Sequence, residues 1–110
     1  MLCHNKSFEN IYCKWKRDQG HLAMRIAGSG SSTGAFCDCI VIQDGQTALV
    51  EVKACKGKVL YITTAVYKQL ATLQEVCKKY IAKPVLAIRF KNRGWREVEL
   101  TKIPKKVEYF

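Results

Sequence analysis

At 110 residues the chain is long enough for one domain with a real core and too short for two. No segment reaches the ~20 apolar residues of a membrane span, and the first ten residues (MLCHNKSFEN) lack the apolar core of a signal peptide, so a cytoplasmic protein is expected. Nineteen Lys and Arg against nine Asp and Glu leave a net charge of +10, which favours a polyanionic partner, nucleic acid first.

Phe8, Ile11, Tyr12 and Trp15 follow the i, i+3, i+4, i+7 spacing of a helix with one buried face, capped by Asn5 or Ser7 and stopped by Gly20. Glu9 falls beside that stripe. A short strand over residues 21–27 follows and carries Arg25. Residues 28–34 (GSGSSTG) supply backbone donors and hydroxyls. Their composition reads as a plain linker, and their place just before Asp38 raises a phosphate-binding role.

Residues 37–43 (CDCIVIQ) and 46–53 (QTALVEVK) are apolar, β-branched-rich runs separated by Asp44-Gly45, a dipeptide suited to the positive φ angles of a type I′ hairpin turn. A two-residue loop fixes the register. With Gln43 opposite Gln46, Cys39 falls opposite Val50 and Asp38 opposite Glu51. Cross-strand carboxylates ~5 Å apart repel each other unless a cation lies between them. Lys53, two residues beyond Glu51, projects from the same face. Two carboxylates and an ammonium at one point suit a hard divalent metal beside a positive charge, which is equipment for cutting a phosphodiester. The competing reading is an ordinary solvent-facing set with Lys53 as counter-ion. Ile40, Ile42 and Leu49 weigh against it, because they share that face and put the carboxylates at the end of an apolar surface.

A strand over 59–62 comes next. Thr63 or Thr64 then caps a helix whose stripe is Val66, Leu70, Leu73 and Cys77, extended by Tyr80 and Ile81, with Lys68 and Gln69 off the stripe. Lys83-Pro84 ends the helix, residues 85–90 read as a buried strand, and residues 91–94 (KNRG) turn it into a last strand over 95–100. The order is α-β-β-β-β-α-β-β, a mixed sheet with helices packed on it. Residues 101–110 read as the basic, weakly ordered end of the single domain 1–110. The six cysteines contain no C-x-x-C pair, and strand alternation puts both Cys37 and Cys39 on the face opposite Asp38. They are expected as small apolar core residues. Neither His4 nor His21 has a partner arrangement that demands catalysis.

Taken in order, Glu9, residues 25–30 (RIAGSG), Asp38, Glu51-Val52-Lys53, residues 58–62 (KVLYI), Gln69-Leu70, and residues 84–90 with Asn92-Arg93-Gly94-Trp95-Arg96 resemble the PD-(D/E)XK nuclease superfamily. Within it the chain resembles the archaeal-type Holliday junction resolvases, over about residues 8 to 100. The Glu-x-Lys triplet alone is a weak signal, whereas the ordered set with its spacings is a strong one. The resemblance implies an α/β fold with a mixed central β-sheet flanked by helices, the restriction-endonuclease-like core. It implies a metal-dependent endonuclease that binds four-way DNA junctions as a homodimer and nicks two strands symmetrically. Magnesium is the implied cofactor, with manganese able to substitute, and neither a membrane nor a small-molecule cofactor is implied.

Carried over residue by residue, Glu9, Asp38 and Glu51 would hold the metal with the backbone carbonyl of Val52. Lys53 would position the attacking water, and Arg25 and Ser29 would grip the phosphate. The implied DNA contacts are Asn10, Arg25, Ser29, Ser31, Ser32, Lys56, Lys58 and Gln69. Asn10 stands where the family often has arginine, and Cys37 where it often has proline. The implied location is the cytoplasm of an archaeal cell, or of the host if a virus encodes the chain. The alternatives are another nuclease of the same superfamily, of restriction or repair type, and a junction-binding protein that does not cut.

Overall fold

A computed structural model of the chain describes residues 4–26 and 37–110. The elements run α1 (His4–Asp18), β1 (Leu22–Arg25), β2 (Cys39–Gln43), β3 (Gln46–Cys55), β4 (Val59–Tyr61), α2 (Thr64–Tyr80), β5 (Lys83–Phe90), β6 (Gly94–Glu99) and β7 (Lys106–Glu108). Five strands form one sheet in the order β1-β2-β3-β5-β6. β3 and β5 are parallel and the other neighbours antiparallel, so the sheet is mixed. β4 and β7 make a separate antiparallel pair.

The β2–β3 hairpin adopts the expected register, with Gln43 opposite Gln46 and Cys39 opposite Val50. Asp44 (φ 53°) and Gly45 (φ 76°) both take the positive φ that a type I′ turn demands. Alternation then divides the core. Val50 and Val52 of β3, with Ala87 of β5, face Tyr12 and Cys13 of α1. Leu49 of β3, with Leu86, Ile88 and Phe90 of β5, faces Leu70, Leu73 and Cys77 of α2. Each helix therefore covers one side of the same two central strands.

On α1 the buried face is centred on Glu9, Tyr12, Cys13 and Lys16, with Ile11 exposed. The expected stripe through Ile11 is thus rotated, because the sheet offers polar partners to Tyr12 and Lys16 and the helix turns to meet them. On α2 the cap is Thr63, whose Oγ1 accepts the Val66 N–H at 3.3 Å. The helix ends at Tyr80, and Ile81 takes a left-handed φ of 57° while its N–H bonds back to Cys77. That turn takes Ile81 out of the stripe it was expected to extend, leaving it 92 % exposed, and Tyr80 at the end of the helix is exposed as well. The chain enters β5 at Lys83, two residues earlier than anticipated, with Pro84 opposite Leu49.

Residues 101–110 are not a loose end. Leu60 pairs with Val107, which is buried in the core. Tyr109 packs edge-on against Phe90 at 5.5 Å, and its hydroxyl donates to the Arg93 carbonyl at 3.0 Å. The basic composition of this segment conceals the apolar Ile103, Val107 and Tyr109 that anchor it. The early strand is also shorter than expected, Leu22–Arg25, and Ala27 lies outside the described residues. Among the described residues no helix is long and apolar enough to cross a membrane.

Candidate active site

The β2–β3 ladder stops at Cys39 opposite Val50, and the chain bends at Asp38. Three hydrogen bonds fix that bend. The Asp38 N–H donates to the Val50 carbonyl at 2.9 Å, and the Asp38 carbonyl accepts the Ile26 N–H at 2.9 Å. Asp38 Oδ2 accepts the Val52 N–H at 2.8 Å. The side-chain oxygen thus takes the place a backbone carbonyl would hold if the ladder continued. Asp38 and Glu51 are therefore not a ladder pair, as register alone suggested, and they meet instead through their carboxylates.

Both groups are largely removed from water, Asp38 at 8 % exposure and the Glu51 side chain at 13 %. Burial, and then the charge of Asp38, push the Glu51 carboxyl up to about 7, while Lys53 pulls the other way. Lys53 Nζ lies 3.3 Å from Glu51 and donates to Gln69 Oε1 at 2.9 Å. Gln69, one of the expected DNA contacts, sits on the exposed side of α2. In the structure its partner is the lysine, which it steers toward Glu51.

Glu9 is buried on α1, with Arg25 Nη1 at 3.9 Å. Glu9 and Asp38 both border Cys39, whose thiol is pushed up first by contact with Cys13, then by burial, with the two carboxylates adding to it. Among the described residues no three His, Cys, Asp or Glu side chains converge into a ligand cluster. Of the three carboxylates expected to hold metal, the structure brings Asp38 and Glu51 into contact and sets Glu9 against Arg25. Val52 is buried in β3, its N–H taken up by Asp38. Asn10, Lys56 and Lys58 are exposed. Ser29, Ser31 and Ser32 lie outside the described residues.

Cys37 and Cys39 do not share a face: Cys37 packs in the α2-side core and Cys39 in the α1-side core. The bend at Asp38 breaks the two-residue period that would have kept them together. A half-buried polar network on the α1 side has no counterpart among the expected residues. Tyr12 Oη donates to Glu97 Oε2 at 2.6 Å, and Lys16 Nζ donates to Gln43 Oε1 at 3.1 Å while lying 3.2 Å from Glu97. Lys16 is only 4 % exposed. These groups line a cavity of about 320 Å³ toward the hairpin turn. The only local signal was the i, i+4 spacing of Tyr12 and Lys16, and nothing local joins either to Glu97.

A profile of the archaeal Holliday junction resolvase family, Hjc, matches residues 5–109. The chain belongs to this family. It is a junction-resolving nuclease. Among solved structures, that of Archaeoglobus fulgidus Hjc, described as a Holliday junction resolvase from an archaeal hyperthermophile, matches with a TM-score of 0.72 and 24 % identity. The match covers 94 % of this chain and 87 % of that one. At that identity the likeness shows the fold, the restriction-endonuclease-like α/β core expected of the resolvase family. No curated protein sequence matches the chain.

Proposed function

We propose that the chain resolves four-way DNA junctions as a homodimer, by paired symmetric nicks that depend on a divalent metal. The observation that carries the metal-dependent reading is the contact of Asp38 and Glu51, with Glu51 raised to about 7 and Lys53 at 3.3 Å. Two buried carboxylates in contact hold more negative charge than one lysine offsets, and hard oxygen donors of this kind suit magnesium, with manganese as a substitute. Asp38 and Glu51 would hold the ion, with Glu9 and the Val52 carbonyl as further donors. When bound, the ion would lower the pKa of a water and neutralise charge on the scissile phosphate.

The remaining roles belong to side chains of this chain. Lys53, oriented by Gln69, aligns the attacking water and offsets charge that grows on the phosphate. Arg25, its guanidinium next to Glu9, and Ser29 grip the phosphate itself. Asn10, Ser31, Ser32, Lys56 and Lys58 hold the flanking DNA backbone. Phosphate contacts position a protein without reading sequence, so the shape of the junction provides selectivity.

One site per chain cannot place two symmetric cuts, so a two-fold pair is required. Apolar surface supports this. Leu22 pairs with Ile42, and Met24 projects from the same face of β1 as Leu22, leaving three large hydrophobic side chains exposed beside the region that α2 covers. Sedimentation should report a dimer at micromolar concentration, and a monomer both free and on DNA contradicts the assembly. For the metal site, Asp38→Asn and Glu51→Gln should each abolish cleavage while junction binding is kept or tightened, since each removes a negative charge beside the DNA. Full cleavage by either variant contradicts the assignment.

A further inference from the structure

The sulfurs of Cys13 and Cys39 lie 3.4 Å apart, and both residues are free thiols. They are sealed from solvent at 2 % and 0 % exposure. Cys13 stands one helical turn after Glu9 on the buried face of α1, and Cys39 is the first residue of β2, directly after Asp38. The Cys39 sulfur is 4.0 Å from the Glu9 carbonyl oxygen. The pair therefore bridges the helix and the strand that carry two of the site's carboxylates. The other described cysteines do not compete for either sulfur. Cys37 and Cys77 are in the core on the far side of the sheet, and the Cys55 sulfur contacts the Gly57 and Val59 carbonyls.

We infer that Cys13 and Cys39 are an oxidative modification site, forming a reversible disulfide that staples α1 to β2. A disulfide needs its sulfurs about 2.05 Å apart, so the two must approach by on the order of 1.4 Å. Because the pair is sealed, the matching oxidant is a small peroxide that can follow water into the protein. The Cys13 thiolate attacks hydrogen peroxide: an S–O bond forms, the O–O bond breaks, and the departing hydroxide takes a proton to become water. The Cys39 sulfur, giving up its proton, then displaces oxygen from the Cys13 sulfenic acid and releases a second water. Two thiols lose two electrons and one peroxide becomes two waters. The bridge closes the chain between residues 13 and 39, which restricts the unfolded state and raises the melting temperature on the order of 10 °C.

The test is independent of nuclease activity. The full chain is treated with a few equivalents of hydrogen peroxide, the peroxide is removed, the protein is unfolded in denaturant and its free thiols are blocked with a maleimide, and it is then digested and fragmented so that Cys37 and Cys39 are resolved. The expected result is a peptide linking Cys13 to Cys39, two fewer maleimide adducts, and a higher melting temperature that dithiothreitol reverses. Cys13→Ala and Cys39→Ala should each lose the linked peptide and the redox dependence of melting. The pair serves two ways because either variant that folds is sufficient. Full labelling of all six cysteines after peroxide, a link between any other pair, or an unchanged melting temperature overturns the inference.

Discussion

Glu51 reports the electrostatics of the candidate site through its pH dependence. Its carboxyl titrates at about 7 in the fold against the ordinary 4.5, first because it is buried and second because Asp38 is beside it. Between those values the folded state holds a proton that the unfolded chain has released. Stability is then full below about 4.5 and falls as pH rises through about 7. In metal-free protein the fall should be on the order of 2–3 kcal/mol, measured by urea unfolding at pH 5 and pH 8. Glu51→Gln should flatten it, and an unchanged slope in that variant contradicts the buried-pair description. Gln69→Ala should leave the fold intact and slow cleavage severalfold at saturating junction, because Lys53 loses the partner that orients it. The association of Asp38, Glu51 and Lys53 was legible in the sequence because Asp44-Gly45 fixes the hairpin register. The bend at Asp38 was not, since a carboxylate replacing a ladder carbonyl leaves no periodic trace.

The elements follow the sequence where burial is apolar and depart from it where burial is polar. Leu70, Leu73 and Cys77 of α2 are the buried residues the stripe predicted. α1 instead turns Glu9 and Lys16 inward, because Arg25 on β1 faces Glu9 while Glu97 on β6 and Gln43 on β2 supply partners to Lys16 far away in the chain. A count of hydrophobic spacing cannot see such partners. The Tyr12 hydroxyl is held well above its ordinary pKa by burial and then by its bond to Glu97, so it remains a donor to that carboxylate throughout the ordinary pH range. Tyr12→Phe removes a charge-assisted hydrogen bond and should cost about 1–3 kcal/mol in urea unfolding. A loss below a few tenths would show that the network contributes little to docking α1 on the sheet. β4 and β7, three residues each, were only half anticipated. A strand that short has no period to detect, and its partner lies more than 40 residues away.

Across the whole molecule the net charge of +10 shapes how DNA is held. The Cys55 carbonyl accepts the Lys91 N–H, which brings the exposed Lys56 and Lys58 to the same end of the sheet as the turn bearing Lys91 and Arg93. Lys56 lies just past the end of β3, three residues after Lys53 and roughly 10 Å along an extended chain, so this end can engage DNA beside the candidate site. Junction affinity should fall steeply with salt, and replacing Lys56 and Lys58 together by alanine should reduce the log–log slope by about 2, close to 0.9 per phosphate contact. An unchanged slope removes those lysines from the interface. Metal dependence and selectivity for branched DNA are tested together by incubating the pure protein with a four-way junction and a matched linear duplex, with and without magnesium. The expected result is paired symmetric nicks in the junction only when magnesium is present, with the duplex left intact. Equal cutting of both substrates, or junction cleavage undiminished by chelation of all divalent metal, contradicts it.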